Sequence, residues 1–164
     1  MDGIEAALTA SRNAADQLID NAASGGRIWD APCAPGKWSP SQIVEHVARS
    51  YEASANVADG RPSAFPSIPR WLHPPLRVVF RHLLRRGAFP KGKTTKAMNP
   101  AVGSATPADG RTRLMAAHER FEASCRALAA RGTPMKTPMF GPVAVKDFVR
   151  FMELHTRHHN GQIA

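Results

Sequence analysis

Apolar and small side chains recur at alternating spacings of three and four in four stretches of the chain, the rhythm of one helical face. No stretch alternates convincingly in the two-residue rhythm of a strand. The first stretch covers roughly residues 2–21, with Ile4, Leu8, Ser11, Ala15 and Leu18 on one line. The segment GGRIWDAPCAPGKW follows, a loop by its Gly and Pro content. A second helix starts at Ser39, an N-cap residue followed by Pro40 at the first helical position and Gln42 three residues on, as in a capping box. Its seam is Ile43, His46, Ser50, Ala53 and Val57. A third runs from about Pro107 to Arg131, between a Thr106 cap and a Gly132 stop, with Leu114, Ala117, Phe121, Ser124 and Leu128 inward. After the crossing RGTPMKTPMFGP, a fourth runs from about Val143 to the end, with Phe148, Met152, His155, His159 and Gln162 in line. The pattern predicts an all-α four-helix bundle, and the length of 164 residues a single domain over 1–164.

Residues 60–106 interrupt that regularity. Prolines at 62, 66, 69, 74, 75, 90 and 100 exclude a long helix between the second and third. One short amphipathic helix survives in PLRVVFRHLLRR, with Leu76, Val79, Phe80 and Leu83 on one side and arginines on the other. An insert of this length in a compact domain predicts a lid or binding loop.

Charge sharpens the contrast. The formal net charge is +9, and Arg70, Arg77, Arg81, Arg85, Arg86, Lys91, Lys93 and Lys96 follow one another with no acid between. A basic excess is compatible with a solvated surface, an anionic ligand, nucleic acid or a membrane surface. No nucleic-acid motif accompanies it, so nucleic acid is not the expected partner. The short helix is flanked by prolines and its apolar face is expected to cover the bundle, so a membrane-surface role is not the expected one. No run of about twenty apolar residues occurs, so no membrane span is expected. The acidic N-terminus is unlike a signal peptide, and Cys33 and Cys125 form no CxxC pair. A cytoplasmic chain with reduced thiols is expected.

The chemistry concentrates at the C-terminus, FMELHTRHHNGQIA. His155 and His159 stand one turn apart on the inward seam, so their rings can converge on one cation. His158 lies about 100° round the helix from His159 and reads as an outer or exposed neighbour. A catalytic metal site needs a third ligand. His46, on the second seam, is the best candidate; His118 lies one position off the third seam, and His73 and His82 fall in the insert. A single inward histidine is more often a hydrogen-bonded core residue than a ligand. Three neutral imidazoles together, however, would cost about 1–3 kcal/mol per unsatisfied group without a shared partner. Gln162 would orient a ligand ring, and Arg77 and Arg81 would meet an anionic substrate. Glu45 and Glu153 sit about 100° off the histidine lines, Glu119 and Glu122 read as surface, and both cysteines read as buried thiols. No catalytic residue emerges.

The segment KWSPSQIVEHVARSYE, with Trp38 and His46, and the ending HTRHHNGQI resemble the second- and fourth-helix signatures of the DinB-like superfamily, which includes thiol-transferase relatives. The resemblance implies a bundle with a divalent metal, zinc or nickel, on His46, His155 and His159. It also implies a homodimer, and in some relatives a low-molecular-weight thiol such as bacillithiol or mycothiol. The expected function is metal-dependent thiol transfer or hydrolysis on a small, anionic molecule. A metal-stabilised bundle without catalysis, closed by a fourth ligand such as His118, and a basic-surface binding module are the alternatives. The insert is long for this family. The chain also ends five residues after His159, which predicts a short final helix with a frayed end.

Overall fold

The computed structural model describes residues 2–24, 26, 28–89 and 94–163. Four long helices form the body: α1 Asp2–Ser24, α2 Pro40–Ala58, α4 Pro107–Ala130 and α5 Val145–Ile163. The short helix of the insert, α3, spans His73–Arg86. Helix α1 lies along α5 and α4, and α2 lies along α4. The seams fill the space between them: Leu8, Leu18, Ile43, Leu114, Phe121, Phe148 and Met152 are buried. Each such side chain contributes about 1.5–3 kcal/mol through its removal from water.

The caps behave as the sequence predicts. Ser39 accepts the amide of Gln42 while Gln42 Oε1 accepts the amide of Ser39, and Thr106 accepts the amide of Asp109. Helix α5 corrects an expectation. It stays helical through Ile163, whose side chain is buried, so burial rather than length holds its last turn.

A second correction is a small antiparallel pair, β1 Met135–Thr137 with β2 Gly141–Val143, where no strand was expected. Each strand has three residues, too few for a two-residue rhythm to register. Met135, Thr137, Gly141 and Val143 face inward while Lys136 and Pro142 face out. Thr137 caps the turn by accepting the amide of Phe140 at 2.9 Å, and Gly141 takes the left-handed φ of 68° there.

The insert is bound to the bundle at several points. Helix α3 turns Phe80 and Leu83 inward, Phe80 lying against Phe140 and Phe151. Val79, expected on that inward side, is 57% exposed instead. Farther on, Gln42 Nε2 donates to the Ala101 carbonyl at 3.2 Å and Trp29 Nε1 to the Ser104 carbonyl at 2.7 Å. Gly103 lies so close to α2 that an added Cβ would sit 2.3 Å from the Ser41 carbonyl carbon, which only glycine allows. These ties lay a short 3-10 turn, Lys96–Met98, beside the first turns of α2. Among the described residues, no helix is long and apolar enough to cross a membrane.

Candidate metal centre

The seams of α2 and α5 converge on three imidazoles. His46 Nε2 lies 3.3 Å from His155 Nε2, and His155 Nε2 lies 3.1 Å from His159 Nε2. The ligand atoms of these three residues all fall within 4.8 Å of one another. The helical repeat explains the juxtaposition. His155 and His159 share one line of α5, and Ser50, one turn beyond His46 on α2, is small and lines the cleft beside the rings. Ser50 itself is satisfied by donating to the His46 carbonyl at 2.9 Å.

The outer nitrogens decide how these rings are protonated. His46 Nδ1 lies 2.8 Å from the Met98 carbonyl, and His159 Nδ1 lies 3.0 Å from Gln162 Oε1. Both partners accept, so both rings carry their proton on Nδ1 and turn an Nε2 lone pair inward. His155 has one proton at most to offer between those lone pairs, and its own Nδ1 is buried with no hydrogen-bond partner. A neutral triad therefore leaves converging lone pairs unsatisfied. A divalent cation resolves them. Two nitrogens about 2.0–2.1 Å from one tetrahedral zinc lie about 3.3–3.4 Å apart, close to the spacings seen here. The donor set thus fits a metal ion.

Burial keeps the rings ready for that role. Desolvation lowers the pKa of His46, pushes His155 well below the usual histidine range and lowers His159 to about 3. For His155 and His159 the repulsion of neighbouring imidazolium charge acts in the same direction. The neutral, metal-binding form is favoured.

Aromatic walls flank the triad. Trp38 packs against His46 and His159, with ring centres 4.8 and 6.1 Å apart. Phe89, from the insert, packs against His155 and His158 at 5.1 and 5.8 Å. Between these walls opens a cleft of about 1280 Å³ that reaches the three rings. No fourth His, Cys, Asp or Glu among the described residues joins the cluster. His118 in particular lies elsewhere, bonded to Ser11.

Of the residues singled out in the sequence, His46, His155, His159, Gln162 and His158 meet here. Gln162 bridges two rings, its Nε2 lying 3.1 Å from His158 Nε2. Arg77 and Arg81 do not reach the cleft. Because α3 turns Phe80 and Leu83 inward, Arg81 is exposed and Arg77 half-buried on its other sides. Lys96 is exposed on the 3-10 turn, and Lys91 and Lys93 lie outside the described residues. Among the described residues, the cations that line the cleft are Lys37, from the loop before Trp38, and Arg157, whose Nε is 2.9 Å from the buried carboxylate of Glu153. Cys33 also lines the cleft and is half-buried, whereas Cys125 is buried and its thiol pKa is raised by desolvation. Sequence reasoning passed over Lys37, Arg157, Phe89 and the Met98 carbonyl. For Lys37 the signal was adjacency to Trp38; for a backbone carbonyl there is none.

Comparison with known proteins agrees with this architecture. A model of the DinB superfamily matches residues 7–163. A solved structure, described as "YfiT from Bacillus subtilis is a probable metal-dependent hydrolase with an unusual four-helix bundle topology", superposes with a TM-score of 0.54 at 16% identity. The superposition covers 97% of this chain and 82% of that one, and at that identity it speaks to the fold. No curated protein matches the chain.

Proposed function

The chain belongs to the DinB superfamily, and on that footing we propose that it is a metal-dependent enzyme acting on a small molecule in the cleft. His46, His155 and His159 would hold one divalent cation, zinc or nickel. The observation that carries this reading is the convergence of three Nε2 atoms at the floor of an open cleft. When bound, such a cation supplies Lewis-acid activation of a water molecule or a thiol at neutral pH. The absence of a fourth protein ligand among the described residues leaves room for either.

The protein's own part is orientation and shielding. The Met98 carbonyl and Gln162 hold two rings in the productive tautomer. Trp38 and Phe89 exclude water from two sides of the triad. Three neutral ligands leave a divalent charge uncompensated, which favours an anionic fourth partner. Lys37 and Arg157 at the cleft would bind the remaining negative charge of such a molecule. They take the role first assigned to Arg77 and Arg81. Hydrolysis is the leading reaction, in line with the description of the superposed bundle. Thiol transfer is the second reading. It is favoured by a cleft volume of about 1280 Å³, enough for a low-molecular-weight thiol beside its substrate.

Elemental analysis of protein purified without a histidine tag tests the proposal. About one divalent ion per chain is expected, lost in His46→Ala and in His155→Ala while the circular dichroism spectrum stays helical. Metal retained by both variants would refute the site.

A further inference from the structure

The basic character of this protein is confined to one segment. Residues 61–108 contain nine Lys and Arg and no Asp or Glu; elsewhere thirteen cations match thirteen acids, so the insert accounts for the whole net charge of +9. Most of the bundle's described arginines are drawn into ion pairs, as in Arg113 with Glu45 and Glu52, or Arg126 with Glu5 and Glu122. Among the described residues, no cation of 61–108 pairs with a carboxylate.

Helix α3 displays this charge beside apolar side chains that the fold leaves in water. Its inward face is already used by Phe80 and Leu83. Its outward side carries Val78 and Val79, 62% and 57% exposed, and Trp71 on the preceding turn is 76% exposed. Pro74 and Pro75 are exposed among them, and His82, Arg81, Arg85 and Arg86 are exposed toward the C-terminal half. A short helix that seats one apolar face on the bundle thus holds a second apolar group outward, ringed by unpaired guanidinium groups.

We propose that the outer face of α3, with Trp71, docks the protein onto an anionic lipid surface. The charge selects an acidic partner and argues against a second copy of the same face, where like charges would meet. The exposed aliphatic residues distinguish lipid from nucleic acid. Val78 and Val79 gain from the boundary between headgroup and acyl chain and gain nothing from a phosphate backbone. Trp71 has the amphipathic ring that favours that boundary. The contact is peripheral, and its strength comes from charge first and shallow apolar burial second.

Co-sedimentation with vesicles tests this. The full chain is expected to sediment with vesicles of mixed phosphatidylglycerol and phosphatidylcholine, to stay in solution with phosphatidylcholine alone, and to dissociate as salt rises. Replacing exposed Arg81, Arg85 and Arg86 together by Gln should weaken partitioning roughly a hundredfold, at about fivefold per cation. Trp71→Ser should weaken it about tenfold. All four side chains are exposed, so the helical spectrum and the metal content should not change. Absence of sedimentation with the anionic vesicles at low salt would overturn the proposal. So would binding indifferent to both variants, or tighter binding to duplex DNA that Trp71→Ser leaves intact.

Discussion

His118 and His159 are both buried in the same bundle, at 0% and 6% exposure, yet their protons sit on opposite nitrogens. Around His118 the hydrogen bonds run one way. Thr156 donates to the Met152 carbonyl at 2.9 Å, so its oxygen accepts from Tyr51, 2.9 Å away. The Tyr51 oxygen is then free to accept from Ser11 at 3.1 Å, and Ser11 accepts from His118 Nε2 at 3.2 Å. Each hydroxyl has one proton to give, so His118 carries its own on Nε2. Its Nδ1 lone pair is left with no hydrogen-bond partner, 4.0 Å from Glu122. In the triad the proton sits on Nδ1 of His46 and His159, and the inward lone pairs face one another. A chain of hydroxyls completes the first histidine. In the second group the inward lone pairs are left facing one another, an arrangement that a bound cation would complete. Burial alone therefore does not mark a site; the direction of the lone pairs does.

The sharpest way to separate the two is acid. Desolvation lowers the pKa of His118 to about 4, against 6.5 for the ordinary side chain. Above pH 6.5 the ring is neutral in both folded and unfolded states. Between pH 6.5 and 4 the unfolded chain takes up a proton that the folded chain refuses, so stability falls as pH falls through that window. The loss due to this one residue is about 3 kcal/mol. Denaturant unfolding at pH 7 and pH 4, on wild type and His118→Gln, measures it. The variant should be less stable at pH 7 and should show a pH dependence smaller by that amount. Equal pH dependence in the two proteins would mean that His118 is not held neutral.

On the other side of the comparison, the counterpart of Ser11 is Gln162. Ser11 serves the proton-bearing nitrogen of His118, and Gln162 serves that of His159. Gln162 is exposed, so its loss should disturb folding little. Gln162→Ala is expected to lower metal affinity by about 10–100-fold, the usual effect of removing a ligand's outer partner. Competition against a chromophoric chelator gives the number. Unchanged affinity would show that packing against Trp38 orients the ring without help.

The two clusters were not equally legible in the sequence. His46, His155 and His159 fall on helical seams, where a spacing of three and four places them inward whatever the partners are. His118 is one position off its seam, and its relay passes through Ser11, Tyr51 and Thr156, on three other helices. No spacing within one helix connects them. The Met98 carbonyl is a backbone group 52 residues from His46 and has no side-chain signature. Charge misled differently. A count of arginines shows an excess but no direction, so Arg77 and Arg81 were placed at the cleft, whereas the fold turns α3 the other way. The short hairpin, three residues to a strand, lies below what a two-residue rhythm can reveal.

The smallest effect tests the relay itself. Tyr51→Phe removes the hydroxyl that joins Ser11 to Thr156 and keeps the ring, which packs edge-on against His118 with centres 4.8 Å apart. Thr156 still donates to the Met152 carbonyl, whereas Ser11 still accepts from His118 but its own proton loses its acceptor. What is lost is the net value of the two bonds made by the phenol, together with the satisfaction of the Ser11 hydroxyl proton. A destabilisation of about 1–2 kcal/mol is expected, within the range for leaving one buried donor without its acceptor. Because the relay touches His155 only through the backbone of α5, metal content should be unchanged. Loss of the metal in Tyr51→Phe would join the two clusters into one network and dissolve the distinction drawn between them.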